Sequence, residues 1–228
     1  MNSILYTYKT GVQWRYIPSM LAHYTTFHKR FLIWCKLDVF KTLWKYFLRV
    51  YVKNKFQKDK DWFKILVIDS TNIKNVSGID SIGYHNKEPS KQATKVSLIC
   101  DRNKVPLAVK VFPANVHDVK TIKPTLDLLN NFRLLHDKRN KHILLGDKGY
   151  ITKEKFTSTR ILSYLRANMK KKNSFYDKIL LNKNRYKIEH CINNFKFPKR
   201  LKFRVDKYVE QYNSFSYISV LSLIIKNM

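Results

Sequence analysis

Acidic residues are scarce in this sequence. Sixteen Asp and Glu face 45 Lys and Arg over 228 residues, a formal net charge of +29 with a pI near 10.0. Such an excess repels itself unless a polyanion is present, which points to nucleic acid or an anionic membrane. An AT-rich coding sequence would account for the abundance of Lys, Asn, Ile, Tyr and Phe, but not for the shortage of acids. Cysteine is scarce too. Cys35, Cys100 and Cys191 lie far apart and make no CxxC or Cys/His zinc spacing, so they read as small apolar core residues in a reducing compartment. Long apolar runs are missing: residues 215–225 form the longest, and it carries Ser216, Ser219 and Ser222, as a packed helix would and a membrane span would not. The N-terminus lacks the apolar core of a signal peptide. There is no internal repeat and no clear linker. These absences give the expectation of a soluble, intracellular protein with no membrane partner. Hydrophobic residues at 44% exclude disorder throughout, and the length suffices for one main domain with a small appendage.

What is present divides near residue 60. Residues 1–60 read as helical. Tyr24-Thr25-Thr26 offers N-caps before Phe27, Phe31 and Trp34, and a second stripe runs through Val39, Leu43, Phe47 and Val50. Lys29, Arg30, Lys41 and Lys45 lie off these stripes, which suits contact with a DNA backbone or a plain solvated basic face. From residue 62 the periodicity changes. Residues 63–69 (FKILVID) have strand length and composition. Residues 94–100 and 105–112 flank the polar turn Asp101-Arg102-Asn103-Lys104 and read as a hairpin. Asp118 is placed to cap a helix through Ile122, Leu126 and Leu129. Residues 142–146 (HILLG) form another buried strand, followed by Asp147. A helix over 152–159, a strand over 161–165, the basic run Lys170-Lys171-Lys172, and helices over 183–197 and 207–225 complete the order. A mixed sheet covered by helices fits this pattern.

Two acids share one context: Asp69 closes ILVID and Asp147 closes ILLGD. Side chains at strand ends meet at a common sheet edge, where sites form. Two carboxylates gathered there repel unless a divalent cation neutralises them, and oxygen ligands suit Mg²⁺ or Mn²⁺. Each Asp also fits the simpler role of a turn former. Glu189 lies beside the apolar stripe Ile188, Ile192 and Phe195, with Arg185 and Lys196 four residues before and seven after on one helix face. It is either a carboxylate reaching toward the sheet or half of an exposed Arg185–Glu189 pair. Asp101 is the rival second carboxylate, explained by its turn, and His117 beside Asp118 reads as structural.

Asp69 in VIDST, Asp147 in LLGDKGY and Glu189 in RYKIEHCINNFK together resemble the three motifs of bacterial insertion-sequence DDE transposases, most of all insertion-sequence family five and its neighbours. That family carries Y-x2-R-x3-E-x6-K around its glutamate. Arg185, Glu189 and Lys196 fall on R, E and K, while Asn182 replaces the Tyr. Thr94-Lys95 to Asp101, Asn115-Val116-His117-Asp118 and the stretch TGVQWRYIP over residues 10–18 extend the likeness over nearly the whole chain. Ala114 stands where relatives often have Gly. Relatives usually have a further helical stretch upstream, so the N-terminal region is expected to be truncated.

The resemblance implies an α/β, or α+β, ribonuclease H-like fold, a mixed five-stranded sheet flanked by helices over residues 61–228. Residues 1–60 are expected to form a small, helix-turn-helix-like DNA-binding region. It implies metal-dependent DNA cleavage and strand transfer, with Asp69, Asp147 and Glu189 both catalytic and metal-binding. Two Mg²⁺ or Mn²⁺ ions about 4 Å apart would do the chemistry. Lys148, Arg185 and Lys196 would hold phosphates near the metals, and Lys29, Arg30 and Lys95 would contribute to DNA binding. The implied partners are double-stranded DNA, as transposon ends and target, and further copies of the chain assembled on it. Rival readings are a catalytically idle DNA-binding relative and a nuclease or Holliday-junction resolvase of the same fold.

Overall fold

The computed structural model of the chain describes residues 1–18, 23–84, 92–130, 142–156, 159–170 and 172–228. Its centre is β1 (Ile65–Asn75), which begins with four apolar residues and continues through the polar run Asp69-Ser70-Thr71-Asn72. Two longer strands lie to one side of it. β3 (Gln92–Cys100) pairs antiparallel with β1, Asp69 facing Leu98, and β4 (Pro106–Pro113) pairs antiparallel with β3. On the other side β5 (His142–Gly146) runs parallel to β1, and β6 (Thr159–Ser163) parallel to β5. The main strand order is therefore β4-β3-β1-β5-β6. Two-residue strands, β2 (Gly83–Tyr84) on β3 and β7 (Phe203–Arg204) on β1, raise the count from the expected five to seven. This five-strand core, antiparallel on one flank of β1 and parallel on the other, is the ribonuclease H-like arrangement that the sequence led us to expect.

Helices cover the sheet. Every β3 residue from Ala93 to Cys100 is buried, which requires cover on both faces. α4 (Asp118–Asn130) packs on β3 and β4, and α5 (Phe175–Phe195) lies across β1, β3 and β5. α5 starts eight residues before the expected position. Ser174 caps it by accepting the Asp177 N–H at 3.1 Å, and Asp177 adds favourable charge to the first turn. The helix ends before Phe197-Pro198, since proline cannot continue it. Across residues 151–156 there is no helix where one was expected. Thr152 Oγ1 accepts the Glu154 N–H at 3.0 Å, a local turn that competes with helical bonding. Residues 157–158 of that segment, and Lys171 of the basic run, lie outside the described residues.

The N-terminal quarter is helical as expected: α1 (Asn2–Thr10), a single turn of 3-10 helix (Trp14–Tyr16), α2 (Tyr24–Lys36) and α3 (Val39–Lys58). Thr25 and Thr26 do not cap α2; they lie in its first turn, and His23 precedes it with no side-chain cap. In α3 the buried row is Phe40, Trp44, Leu48 and Tyr51, one residue on from the expected stripe. The cause is α7 (Val209–Lys226), which lies against that row, where Trp44 stacks on Tyr217 at 5.2 Å; α7 also meets α2, where Phe31 stacks on Phe215 at 4.6 Å. Trp14 packs against Phe31 and Phe215, a core role. Burial of each such aromatic is worth roughly 1.5–3 kcal/mol. These helices share one core with the sheet. The short α6 (Lys199–Lys202) precedes β7. Ion pairs hold this last segment: Arg200 to Asp206 at 2.6 Å, both buried, and the buried Arg204 to the partly exposed Asp80. All three cysteines are buried and unpaired. Among the described residues no helix is long and apolar enough to cross a membrane.

Candidate active site

Asp147 stands where the sequence puts it, directly after β5, and its Oδ1 accepts the Gly149 N–H at 2.7 Å. Asp69 does not end its strand. It lies inside β1, two residues past Val67, the last β1 residue paired with β5. The shared edge thus arises because β5 stops while β1 runs on. Asp69 Oδ1 accepts the Ser70 N–H at 2.7 Å. Glu189 comes from α5, on the same side of the sheet as the cleft. Asp69, Asp147, Glu189, Arg185 and Tyr164 line one small cleft of about 70 Å³, floored by Val67, Ile68 and Leu145.

The electrostatics of this cleft are set by its acids. Burial pushes the Asp69 carboxyl up to about 6, against the Ser70 N–H bond that lowers it, and the charges of Asp147, Asp118 and Glu189 add to the rise. Among the described residues no ion pair engages Asp69. Glu189, in contrast, is paired with Arg185 at 3.1 Å, and both side chains are more than half exposed, so the exposed pair foreseen as an alternative does form. Among the described residues no three Asp, Glu, His or Cys side chains stand close enough to share one ion. The donor set nevertheless fits a divalent cation. Asp69 and Asp147 each keep Oδ2 free of the backbone bond that fixes Oδ1, and a cation would return the Asp69 carboxyl, raised by burial and then by like charges, to its ionised form. Glu189 Oε1 is held by Arg185.

The basic residues separate into groups. Arg185 is at the cleft. Lys196 closes α5, its Nζ 3.2 Å from Thr71 Oγ1 on β1, and burial lowers its pKa. Lys148 is exposed beside Asp147, and Lys29 and Arg30 are exposed on α2, remote in sequence from the cleft. Lys95 is 7% exposed, with Nζ 2.6 Å from Val116 O and 2.8 Å from Asp118 Oδ1. That ammonium holds the Asp118 carboxylate against β3. Asp118 does not cap α4 with its side chain. Its Oδ1 instead accepts from Ser70 Oγ at 2.7 Å and from Lys95. Asp101 is fully buried, accepting from Tyr51 Oη and from the N–H groups of Asn103 and Val105, so its turn role is complete. His117 is exposed.

Two features escaped sequence reasoning. Tyr164, just past β6, walls the cleft and donates to Asn182 Oδ1 at 2.6 Å, across 18 residues. The chain Lys95–Asp118–Ser70 ends on the residue beside Asp69; the only hint in the sequence was the hydroxyl directly after the acid.

The family model described as "Transposase DDE domain" matches residues 63–215. No curated protein sequence matches the chain. Similar solved structures include the catalytic domain of Mos1 mariner transposase, with 10% identity and a TM-score of 0.31 over 80% of this chain and 87% of that one. A Mos1 mariner paired end complex with Mn matches with 9% identity and a TM-score of 0.32, over 80% and 59%. A piggyBac transposase synaptic complex with hairpin DNA matches with 14% identity and a TM-score of 0.34 over 47% of this chain; the chain spans only 24% of that protein's length. These likenesses are distant, and the assignment rests on the family match, which covers more than half of the sequence: the chain belongs to the transposase DDE domain family.

Proposed function

We propose that the protein is a transposase of the insertion-sequence kind, cutting DNA and joining the cut end to new DNA with divalent cations. One observation carries the reading. Acids from three separate elements, β1, the end of β5 and α5, line one cleft in a chain of net charge +29, and Asp69 has no counter-cation among the described residues. Asp69, Asp147 and Glu189 would hold Mg²⁺ or Mn²⁺, two ions in the complete site. Bound ions would lower the pKa of a water or 3′-hydroxyl and neutralise the leaving oxygen. The chain's own contribution is positioning. The Ser70 and Gly149 N–H groups fix one oxygen of each Asp, and Arg185, Lys148 and Lys196 meet phosphate charge. Lys29 and Arg30, on the helical region of residues 1–60, serve binding of the element's ends, with two copies of the chain holding two ends. The protein then resides on DNA in the cell.

The Arg185–Glu189 pair favours a second reading, an idle DNA-binding relative whose glutamate never turns to the sheet. One experiment separates the two. Purified protein with Mn²⁺ and DNA bearing the element's ends should nick and join, EDTA should stop both, and Glu189→Gln should be inactive while still folded. Binding without any nicking, in the unmodified protein given a pre-cut end and Mn²⁺, supports the idle reading. Nicking without joining supports a nuclease.

A further inference from the structure

The acids stand between two clefts of unequal size. The one toward α5, at about 70 Å³, has room for ions and water. The other opens beyond Asp147 and Gly149, toward the start of α4, and holds about 610 Å³. Clefts that take a small organic ligand measure roughly 300–1,000 Å³, so only the second admits a nucleotide. Its walls carry Lys120, Lys148 and Arg166, all exposed and, among the described residues, without an ion-pair partner. Asp118, the acid within it, is already neutralised by Lys95. Val119, Ile151 and Met169 add apolar surface between the cations, and Asn168 a hydrogen-bonding amide. Cations alone would suit any anion; cations alternating with apolar surface suit a phosphodiester chain with its sugars and bases. The first turn of α4 opens on the same space and adds its positive end.

We infer that this second cleft is the seat of a single DNA strand, about one or two nucleotides of it. Lys120, Lys148 and Arg166 meet its phosphates, and the strand reaches Asp69 and Asp147 from the α4 side. The inference rests on the proposed function and adds the direction of approach and the residues Lys120, Arg166 and Asn168. A duplex does not enter so small a space, so the seated strand is unpaired there. It is either the cut end of the element or the target strand.

The probe is a short fluorescent oligothymidylate, bound to the full chain in EDTA so that no chemistry is involved. Lys120→Gln/Arg166→Gln should weaken binding about tenfold. It should also make the dependence on salt shallower by about 1.4 in log–log slope, at about 0.7 per lost phosphate contact on a single strand. Lys58→Gln/Lys60→Gln, at the far end of β1, removes the same charge and should weaken binding less than threefold. Equal losses from the two pairs would overturn the site, since bulk charge would then explain binding. An unchanged affinity in the first pair would also overturn it, and would leave the metal chemistry of Asp69 and Asp147 untouched. With Mn²⁺ and element ends, loss of both nicking and joining marks the seated strand as the element's; loss of joining alone marks it as target. Either result supports the seat.

Discussion

Lys95 on β3 and Asp118 on α4 meet at 2.8 Å, and the same Asp118 oxygen accepts the hydroxyl of Ser70, next to Asp69. A buried lysine thereby fixes a helix start against the strand that carries the central acid. Lys95→Met keeps the apolar stem but leaves Asp118 without its cation. The expected cost is about 1–3 kcal/mol of stability, because a partly buried carboxylate loses its partner. Asp118→Asn in the same protein should recover about 1 kcal/mol of this, as a double-mutant cycle on urea unfolding would show. No recovery would mean that Lys95 acts through packing alone.

Asp69→Asn, Asp147→Asn and Glu189→Gln keep side-chain shape and remove charge. Each should lower nicking by at least about a hundredfold, and double changes should be hardly worse, because ligands of one site act as a unit. Asp69→Ala should leave DNA affinity intact or raise it. Gel-shift assays beside nicking rates separate these outcomes, and loss of DNA binding by Asp69→Ala would recast Asp69 as structural.

Gly149 sits between two acids. A Cβ there would stand 2.9 Å from Asp118 Oδ2 and 3.0 Å from Asp147 Oδ1, closer than a methyl tolerates. Both oxygens end side chains, so they can move aside and the fold survives. Gly149→Ala should cut turnover about tenfold by displacing Asp147, with the thermal midpoint shifted by no more than about 4 °C, roughly 1 kcal/mol at this size. A variant with full activity would show that Asp147 need not hold that position.

Burial raises Asp101 from the ordinary 3.8 to about 6, despite the bonds it accepts. The folded state then keeps a proton that the unfolded state releases between about pH 4 and 6. Stability falls as pH rises through that window, by up to about 1.4 kcal/mol per unit, and levels off above it. Asp69, raised to the same value, adds a parallel slope. In EDTA, Asp101→Asn should retain about half of the slope and Asp69→Asn/Asp101→Asn none. A slope of the opposite sign would contradict the burial described for both groups.

The parts of the fold written in local pattern were legible in the sequence. β5 is short, apolar and ended by Gly146-Asp147, and the hairpin around Asp101 carries its own turn chemistry. What was hidden depends on partners far along the chain. β1 was cut short at Asp69 because Ser70, Thr71 and Asn72 look like a turn until β3 pairs with them. The buried row of α3 was misplaced because aromatic residues occupy adjacent rows and only α7 decides between them. Lys95 reads as one more surface cation until β3 and α4 bring it to Asp118. Glu189 could be put on a helix beside a core stripe, and only the resemblance put it with the two Asps, because local pattern does not say where α5 crosses the sheet.

The seat of α7 has a consequence for biosynthesis. Phe31 and Trp44 are covered by Phe215 and Tyr217, which are made long after them. During translation α2 and α3 therefore carry an uncovered aromatic face until α7 is made, and contacts between segments far apart in a chain form slowly. The nascent protein is prone to aggregation until α7 emerges. A ribosome stall before residue 209 would leave a chain that chaperones hold, and that a separately supplied α7 peptide could rescue.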